Sequence, residues 1–274
     1  MSASAARIRG VARLFLIVRV LVTVALWPLR LLRIVISPVV ALLSRVAALL
    51  PRIPLPALAV ASLVLVTTAL IFVFYVVPSD ADQGFSQRIF YFHVSIAMTA
   101  YACFAGGAWK ALRHLWKRDP RADIESYVGV HQGVIFGALV LITGSIWART
   151  SWGLWWDWRE DELVLFLILY LFYCAYFMLR FSVDAGPQRA NLSAVYALFG
   201  VVLVPVSFAA IRLTKEFLHP RVFHLTGPSF RGWILVTYLV AQAAMLVLAY
   251  TLYRIEIAGK RLDLRLRELR EVLA

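Results

Sequence analysis

From Trp147 to Arg159 the chain reads Trp-Ala-Arg-Thr-Ser-Trp-Gly-Leu-Trp-Trp-Asp-Trp-Arg, so five of its nine tryptophans fall within twelve residues. Indole faces stack on extended π-systems, and a guanidinium beside them pairs with carboxylates of the same ligand. Trp152, Trp155, Trp156 and Trp158, with Arg149 and Arg159 among them, therefore spell a platform for a flat ligand that carries carboxylates. A single Trp would be read as part of an aromatic belt at a membrane surface. Belts spread over all helix ends, whereas this run is confined to one segment and interleaved with Gly153, Asp157 and Arg159.

Two histidines, His93 and His219, stand in segments flanking other apolar stretches. A lone interfacial histidine is ordinarily a hydrogen-bonded surface residue, but two on one side of a membrane invite a joint reading. Imidazole is a common axial ligand of haem iron, and two from different loops can close on the two faces of a porphyrin held by the Trp run. His224 lies five residues beyond His219, and spacing alone does not choose between them.

These residues meet only if the intervening elements bring them to one face. Of the 274 residues, 62% are apolar and 16% charged, which points to a membrane rather than water as solvent. A helical span needs roughly 20 apolar residues. Six windows qualify, at about 57–77, 94–112, 128–148, 163–179, 194–211 and 232–253. Each is apolar around its circumference, and in lipid its backbone groups are satisfied only within a helix. The expected fold class is all-α, a polytopic bundle of six transmembrane helices behind a basic N-terminal extension. The alternating pattern of a membrane barrel is absent.

Lys and Arg are distributed unevenly over the connecting segments. Residues 1–56 carry eight Arg and no acid, 110–127 five cations, 180–192 two and the tail after Tyr253 six, 21 of the 28 in all. The segments 78–93, 149–162 and 212–231 share the other seven. The positive-inside rule predicts that both termini are cytoplasmic and that these three segments lie outside, with the Trp run, His93 and His219 together. The net charge of +13 is then topology and attraction to lipid, not nucleic-acid binding. Arg7, Arg9, Arg13, Arg19, Arg30, Arg33 and Arg45 interrupt two apolar runs bounded by Pro28, Pro38 and Pro51, which predicts an interfacial amphipathic extension over 1–56. A hairpin crossing twice would preserve the later topology. Residues 57–253 form the membrane domain and 254–274 a basic cytoplasmic tail.

Other chemistries find little support. Cys103 and Cys174 stand singly inside predicted spans, outside any CxxC or CxxCH arrangement. No P-loop, GxSxG or HExxH run is present, which argues against an ATPase or hydrolase. Acidic residues avoid the middle of the six windows, which argues against a proton pump.

Two stretches carry a resemblance. Gln83, Gly84, Arg88, Ile89, Tyr91, His93 and Val94 spell QGxxxRIxYxHV, and Thr143 to Trp147 with Trp152-Gly153 and Trp155-Trp156 spell TGSIW…WGxWW. Through them, over roughly residues 57–253, the chain resembles the cytochrome c-type biogenesis family CcmC, also called haem exporter protein C, of the haem-handling superfamily. The resemblance implies a non-enzymatic protein of the bacterial inner membrane that holds b-type haem non-covalently on its periplasmic side. It further implies partners: ABC-type proteins of the cytochrome c maturation pathway, a small membrane subunit, and the periplasmic haem chaperone CcmE that receives the haem. It assigns His93 and His219 as axial ligands, Trp152, Trp155, Trp156 and Trp158 as the platform, and Arg88 as a propionate partner.

One departure stands out. The family pattern continues WWxWDxR, whereas this chain has Arg159 where the family has Asp and Asp161 where it has Arg. Either the two pair with each other and the swap is neutral, or Arg159 serves a propionate. A haem exporter or a cytochrome c synthetase of the CcsA type is the alternative, although its additional membrane histidines are largely missing. An unrelated scaffold or permease, with the Trp run as a belt, is a further one. His131, inside the third window, is read as a neutral imidazole bonded between helices, with a second haem site as the alternative. His114, in a basic inner segment, is expected to be solvated.

Overall fold

The computed structural model describes residues 41, 45, 48–213, 218–220, 222–224 and 227–273. The chain divides into two units, Met1–Pro54 and Leu55–Ala274. In the first, Leu50–Arg52 forms one tight 3-10 turn around Pro51. Most of the extension expected to be amphipathic, residues 1–40 included, lies outside the described residues.

The second unit contains six long helices: α1 (Leu55–Ile71), α2 (Arg88–Lys117), α3 (Pro120–Trp152), α4 (Asp161–Ser182), α5 (Pro187–Leu213) and α6 (Gly232–Leu273). A wider π turn, Phe72–Val76, prolongs α1. A two-residue hairpin, β1 (Phe223–His224) against β2 (Gly227–Pro228), lies before α6. All six helices are long and apolar enough to cross a membrane, and each overlaps one of the six windows. The molecule is an all-α, multi-pass membrane protein.

Several helices outrun their windows. At 33 residues and 1.5 Å per residue, α3 is roughly 50 Å long, well beyond a hydrocarbon layer of ~30 Å. Its ends explain the length. Asp119 caps the start by accepting from Arg121 N at 3.0 Å, with Pro120 in the first turn. The helix stops at Gly153, whose φ of 76° closes the C-terminus in the left-handed region. Similarly, α6 runs 42 residues, so the segment after Tyr253 continues the last span as helix.

Small residues let the helices approach closely, as expected where lipid gives no hydrophobic drive between them. A Cβ on Gly129 of α3 would stand 2.8 Å from Gly107 Cα of α2, so only glycine permits that crossing. Beside it Phe104 stacks on Tyr173 of α4, centroids 4.0 Å apart. Leu169, Tyr173 and Tyr176 are fully buried there. A second apolar cluster, including Val73, Tyr91, Tyr238 and Ala241, joins α1, α2 and α6. Cys103 and Cys174 are free thiols.

Candidate functional site

The start of α2, the end of α3, the start of α4 and the segment after α5 converge on a partly open cavity. His93 and His219 both line it, with Trp147, Trp152, Trp156 and Glu162. The rest of the wall is mostly apolar, including Val94, Met98, Leu141, Phe166 and Phe208.

His93 lies in the second turn of α2. Its Nδ1 is 2.9 Å from Thr143 Oγ1 on α3. The Thr143 hydroxyl donates to Leu139 O at 2.7 Å, so its oxygen is left to accept from His93 Nδ1–H. That contact selects the tautomer whose Nε2 carries a lone pair available to a metal. The next residue makes room: a Cβ on Gly144 would stand 2.9 Å from His93 Cε1. Trp147, one turn on, donates from Nε1 to Gln83 Oε1 at 3.3 Å. Gln83 belongs to a turn held by Asp80, which accepts from the backbone of Asp82 and Gln83. The two stretches that carry the resemblance are thus in contact with each other.

His219 is held by carboxylates. Its Nδ1 is 2.9 Å from Glu162 Oε2, and both side chains are largely buried. Glu160 accepts from the backbone N–H of Leu218 at 2.7 Å and of His219 at 3.3 Å. Trp147 and Trp152 present ring edges at centroid distances of 6.1 and 6.3 Å. Burial alone would lower the His219 pKa, but the Glu162 contact and the nearby Glu160 outweigh it and raise the pKa above its usual value. The approach is that of an ion pair without hydrogen-bond geometry, so Glu162 acts on His219 as a neighbouring charge. His224 is exposed on β1 and does not line the cavity.

The Trp run divides. Trp147 and Trp152 belong to the last turns of α3, and only Trp155, Trp156 and Trp158 lie in the connection to α4. Trp152 and Trp156 line the cavity. Trp155 and Trp158 are 59% and 72% exposed. The edge of Trp158 meets Trp156 at 5.7 Å. Trp156 Nε1 is buried with no hydrogen-bond partner among the described residues.

Arg159 forks onto Asp157, with Nε 2.9 Å from Oδ1 and Nη2 2.5 Å from Oδ2. Those hydrogen bonds hold the Asp157 carboxyl down at about 2 and raise the guanidinium. The carboxylate that Arg159 forks onto is thus Asp157, two residues before it, and not Asp161. Arg88 does not line the cavity; it donates to Val73 O, lies 3.5 Å from Ser79 Oγ, and covers the Phe85 ring at 5.7 Å.

Glu160, Glu162, Thr143 and Gly144 were missed as site residues by sequence reasoning. The acidic run Glu160 to Glu162 at the start of α4 is a signal in itself, but it suits the helix dipole equally well. At the other end of the bundle, His131 Nδ1 is 2.8 Å from Glu256 Oε1 of α6, and Gln132 donates to the second Glu256 oxygen. His114 is not solvated as expected. It is 6% exposed, with its ring nitrogens 2.9 Å from Asp119 O and 3.3 Å from Asn191 Oδ1, because the turn between α2 and α3 needs a partner for its carbonyl.

A family model described as Heme exporter protein C matches residues 40–271. A Bradyrhizobium diazoefficiens protein of that name is 30% identical over 232 residues, 84% of this chain and 87% of its own length. One from Paracoccus denitrificans is 29% identical over 204 residues, 73% of this chain and 82% of its own. One from Escherichia coli is 32% identical over 197 residues, 70% and 80%. The family match takes in every helix and both histidines of the cavity, and the chain belongs to the haem exporter protein C (CcmC) family.

Proposed function

We propose that this protein holds haem, as cargo and without a covalent bond, between His93 and His219, for hand-over to the periplasmic haem chaperone CcmE during cytochrome c maturation. The observation that carries this reading is the pair of imidazoles in one apolar cavity, His93 with Nδ1 on Thr143 and Nε2 left over, and His219 beside the Glu162 carboxylate. Two imidazoles are too few for a bare metal ion, which takes three or four protein ligands. They suffice for iron that arrives inside a porphyrin and needs axial donors only. The pocket is open on one side and its wall is mostly apolar, which suits the face of a macrocycle.

Trp152 and Trp156 face the ring, and the exposed Trp155 and Trp158 extend the platform outward, where a receiving protein can reach the cargo. Arg159 stands at the same end of the bundle as the cavity and supplies a guanidinium for a propionate, whereas Arg88 is engaged by Val73 O outside the cavity. Asp157 keeps Arg159 in place through its ionised carboxylate. The two axial ligands differ: a hydroxyl backs His93 and a carboxylate backs His219, which makes His219 the stronger donor. The charge count over the connecting segments supports a periplasmic cavity in a bacterial inner membrane, with both termini cytoplasmic and ABC-type subunits and a small membrane subunit as neighbours. The role is carriage, with no covalent change to the cargo.

The test is an absorption spectrum and pyridine haemochrome assay of detergent-purified protein. His93→Ala and His219→Ala each convert a six-coordinate low-spin spectrum to one with an open or substituted position, and added imidazole restores it. His224→Ala leaves the spectrum unchanged. If neither alanine variant alters a spectrum that is present in the parent, the ligation scheme fails.

A further inference from the structure

At the end of the bundle away from the histidine cavity, α3, α4, α5 and α6 line a second, open groove. Along α3, Tyr127 in this groove and Trp147 in the histidine cavity are 20 residues apart, roughly 30 Å at 1.5 Å per residue. That span equals the hydrocarbon thickness, so the groove lies at the opposite membrane interface. Four cations line it, Arg180, Arg189, Lys260 and Arg267, against one carboxylate, Asp263.

The cations are arranged in advance. Arg180 is 8% exposed and binds Asp123 through both terminal nitrogens at 2.8 Å each. The Tyr127 ring carries the Arg180 guanidinium at 5.0 Å and the Lys260 ammonium at 5.2 Å. Asp123 balances Arg180, but among the described residues no carboxylate pairs with Arg189, Lys260 or Arg267. With four cations against the carboxylates of Asp263 and Asp123, positive charge is in excess, and the cations repel one another unless a further anion joins them. Two apolar side chains, Phe181 (68% exposed) and Leu264 (44% exposed), border the same groove. A soluble anion has no use for them, whereas an acyl chain does.

We infer that this groove binds the headgroup phosphate of an acidic phospholipid, with Arg189, Lys260 and Arg267 on the phosphate and Phe181 and Leu264 against the acyl chain. The bound lipid fastens α6 to α3 and α4 at the interface where α6 leaves the membrane. The inference does not depend on what the histidine cavity carries.

Lipid binding is measured by native mass spectrometry on the full chain in detergent, titrated with dioleoylphosphatidylglycerol, dioleoylphosphatidylcholine or glycerol 3-phosphate. The parent retains phosphatidylglycerol in preference to phosphatidylcholine and does not retain glycerol 3-phosphate. Each cation near a lipid surface contributes about fivefold, so Arg189→Gln/Lys260→Gln/Arg267→Gln weakens phosphatidylglycerol binding by about 100-fold. Arg265→Gln/Arg270→Gln removes two exposed cations of the same helix end that do not line the groove, and weakens phosphatidylglycerol binding far less than the groove variant does. Should the triple variant not fold, Arg267→Glu alone, at an exposed position, gives the loss. Equal loss in both multiple variants means diffuse surface attraction and overturns the site. Unchanged binding in the groove variants, or equal retention of glycerol 3-phosphate, overturns it as well.

Discussion

Replacing Gly144 by Ala separates ligand geometry from stability. The new methyl would stand 2.9 Å from His93 Cε1, where carbon atoms in contact keep about 3.5–4.0 Å. The ring must therefore retreat by ~0.6–1.1 Å. Because the obstructing atom is the far end of a side chain and not backbone, the ring can give way, and the cost to folding falls below the ~1–3 kcal/mol of rigidly overpacked sites. The cost to ligation is larger, since a site tolerates only about 0.5 Å of displacement from its productive geometry. The retreat also strains the 2.9 Å contact with Thr143 that selects the His93 tautomer. The expected result is a fall in the low-spin fraction and a haem affinity lower by about tenfold to 100-fold, equivalent to ~1.4–2.8 kcal/mol, with thermal unfolding nearly unchanged. A double-mutant cycle locates the effect: once His93→Gly has removed the ring and imidazole replaces it, Gly144→Ala should add little. If Gly144→Ala alone keeps the parent spectrum and affinity, the close approach of Gly144 and His93 is not what positions the ligand.

Thr143→Val keeps the shape of the side chain but leaves His93 Nδ1–H without its acceptor, a loss of about 1–3 kcal/mol for a buried donor, read as weaker haem binding and a mixed-spin spectrum. The pH dependence is set by His219. Its pKa is raised in the folded protein, so the ion pair with Glu162 stabilises the haem-free protein fully below the ordinary histidine value and is lost as pH rises through the raised one. Haem must displace the second proton, so affinity falls as pH drops through that raised value; in a haem titration against pH, Glu162→Gln should move the midpoint downward, and an unmoved midpoint would remove Glu162 from the site. For topology, Ser151→Cys should react with a membrane-impermeant thiol reagent in intact cells and Lys117→Cys should not, both positions being exposed and at opposite ends of α3 and α2. The reverse pattern would invert the orientation drawn from the charge count.

Six spans were legible in the chain because lipid imposes a local rule: about 20 consecutive apolar residues, with every backbone group bonded inside the same segment. That rule involves no distant partner, so α1 to α6 follow from composition alone. The two motif stretches were legible for a similar reason, since each is contiguous. Where helices end beyond the hydrocarbon was not, because apolarity stops being the criterion there. Trp147 and Trp152 proved to be helical because α3 continues to the Gly153 cap, a backbone event that hydropathy does not register.

The choice between His219 and His224 shows what tertiary structure alone decides. The two are five residues apart and chemically alike, but only His219 enters the cavity, because Glu160 grips its backbone across 59 residues of chain and Glu162 lies against its ring. Nothing in local spacing reports such a contact. The same holds for Thr143 and Gly144, whose use is visible only once α2 sets His93 against them. Periodicity and composition determined which segments enter the membrane, because burial in lipid is a property of each segment by itself. Which side chains face one another inside the bundle depends on how six such segments pack, and that is settled by close contacts between residues far apart in the chain.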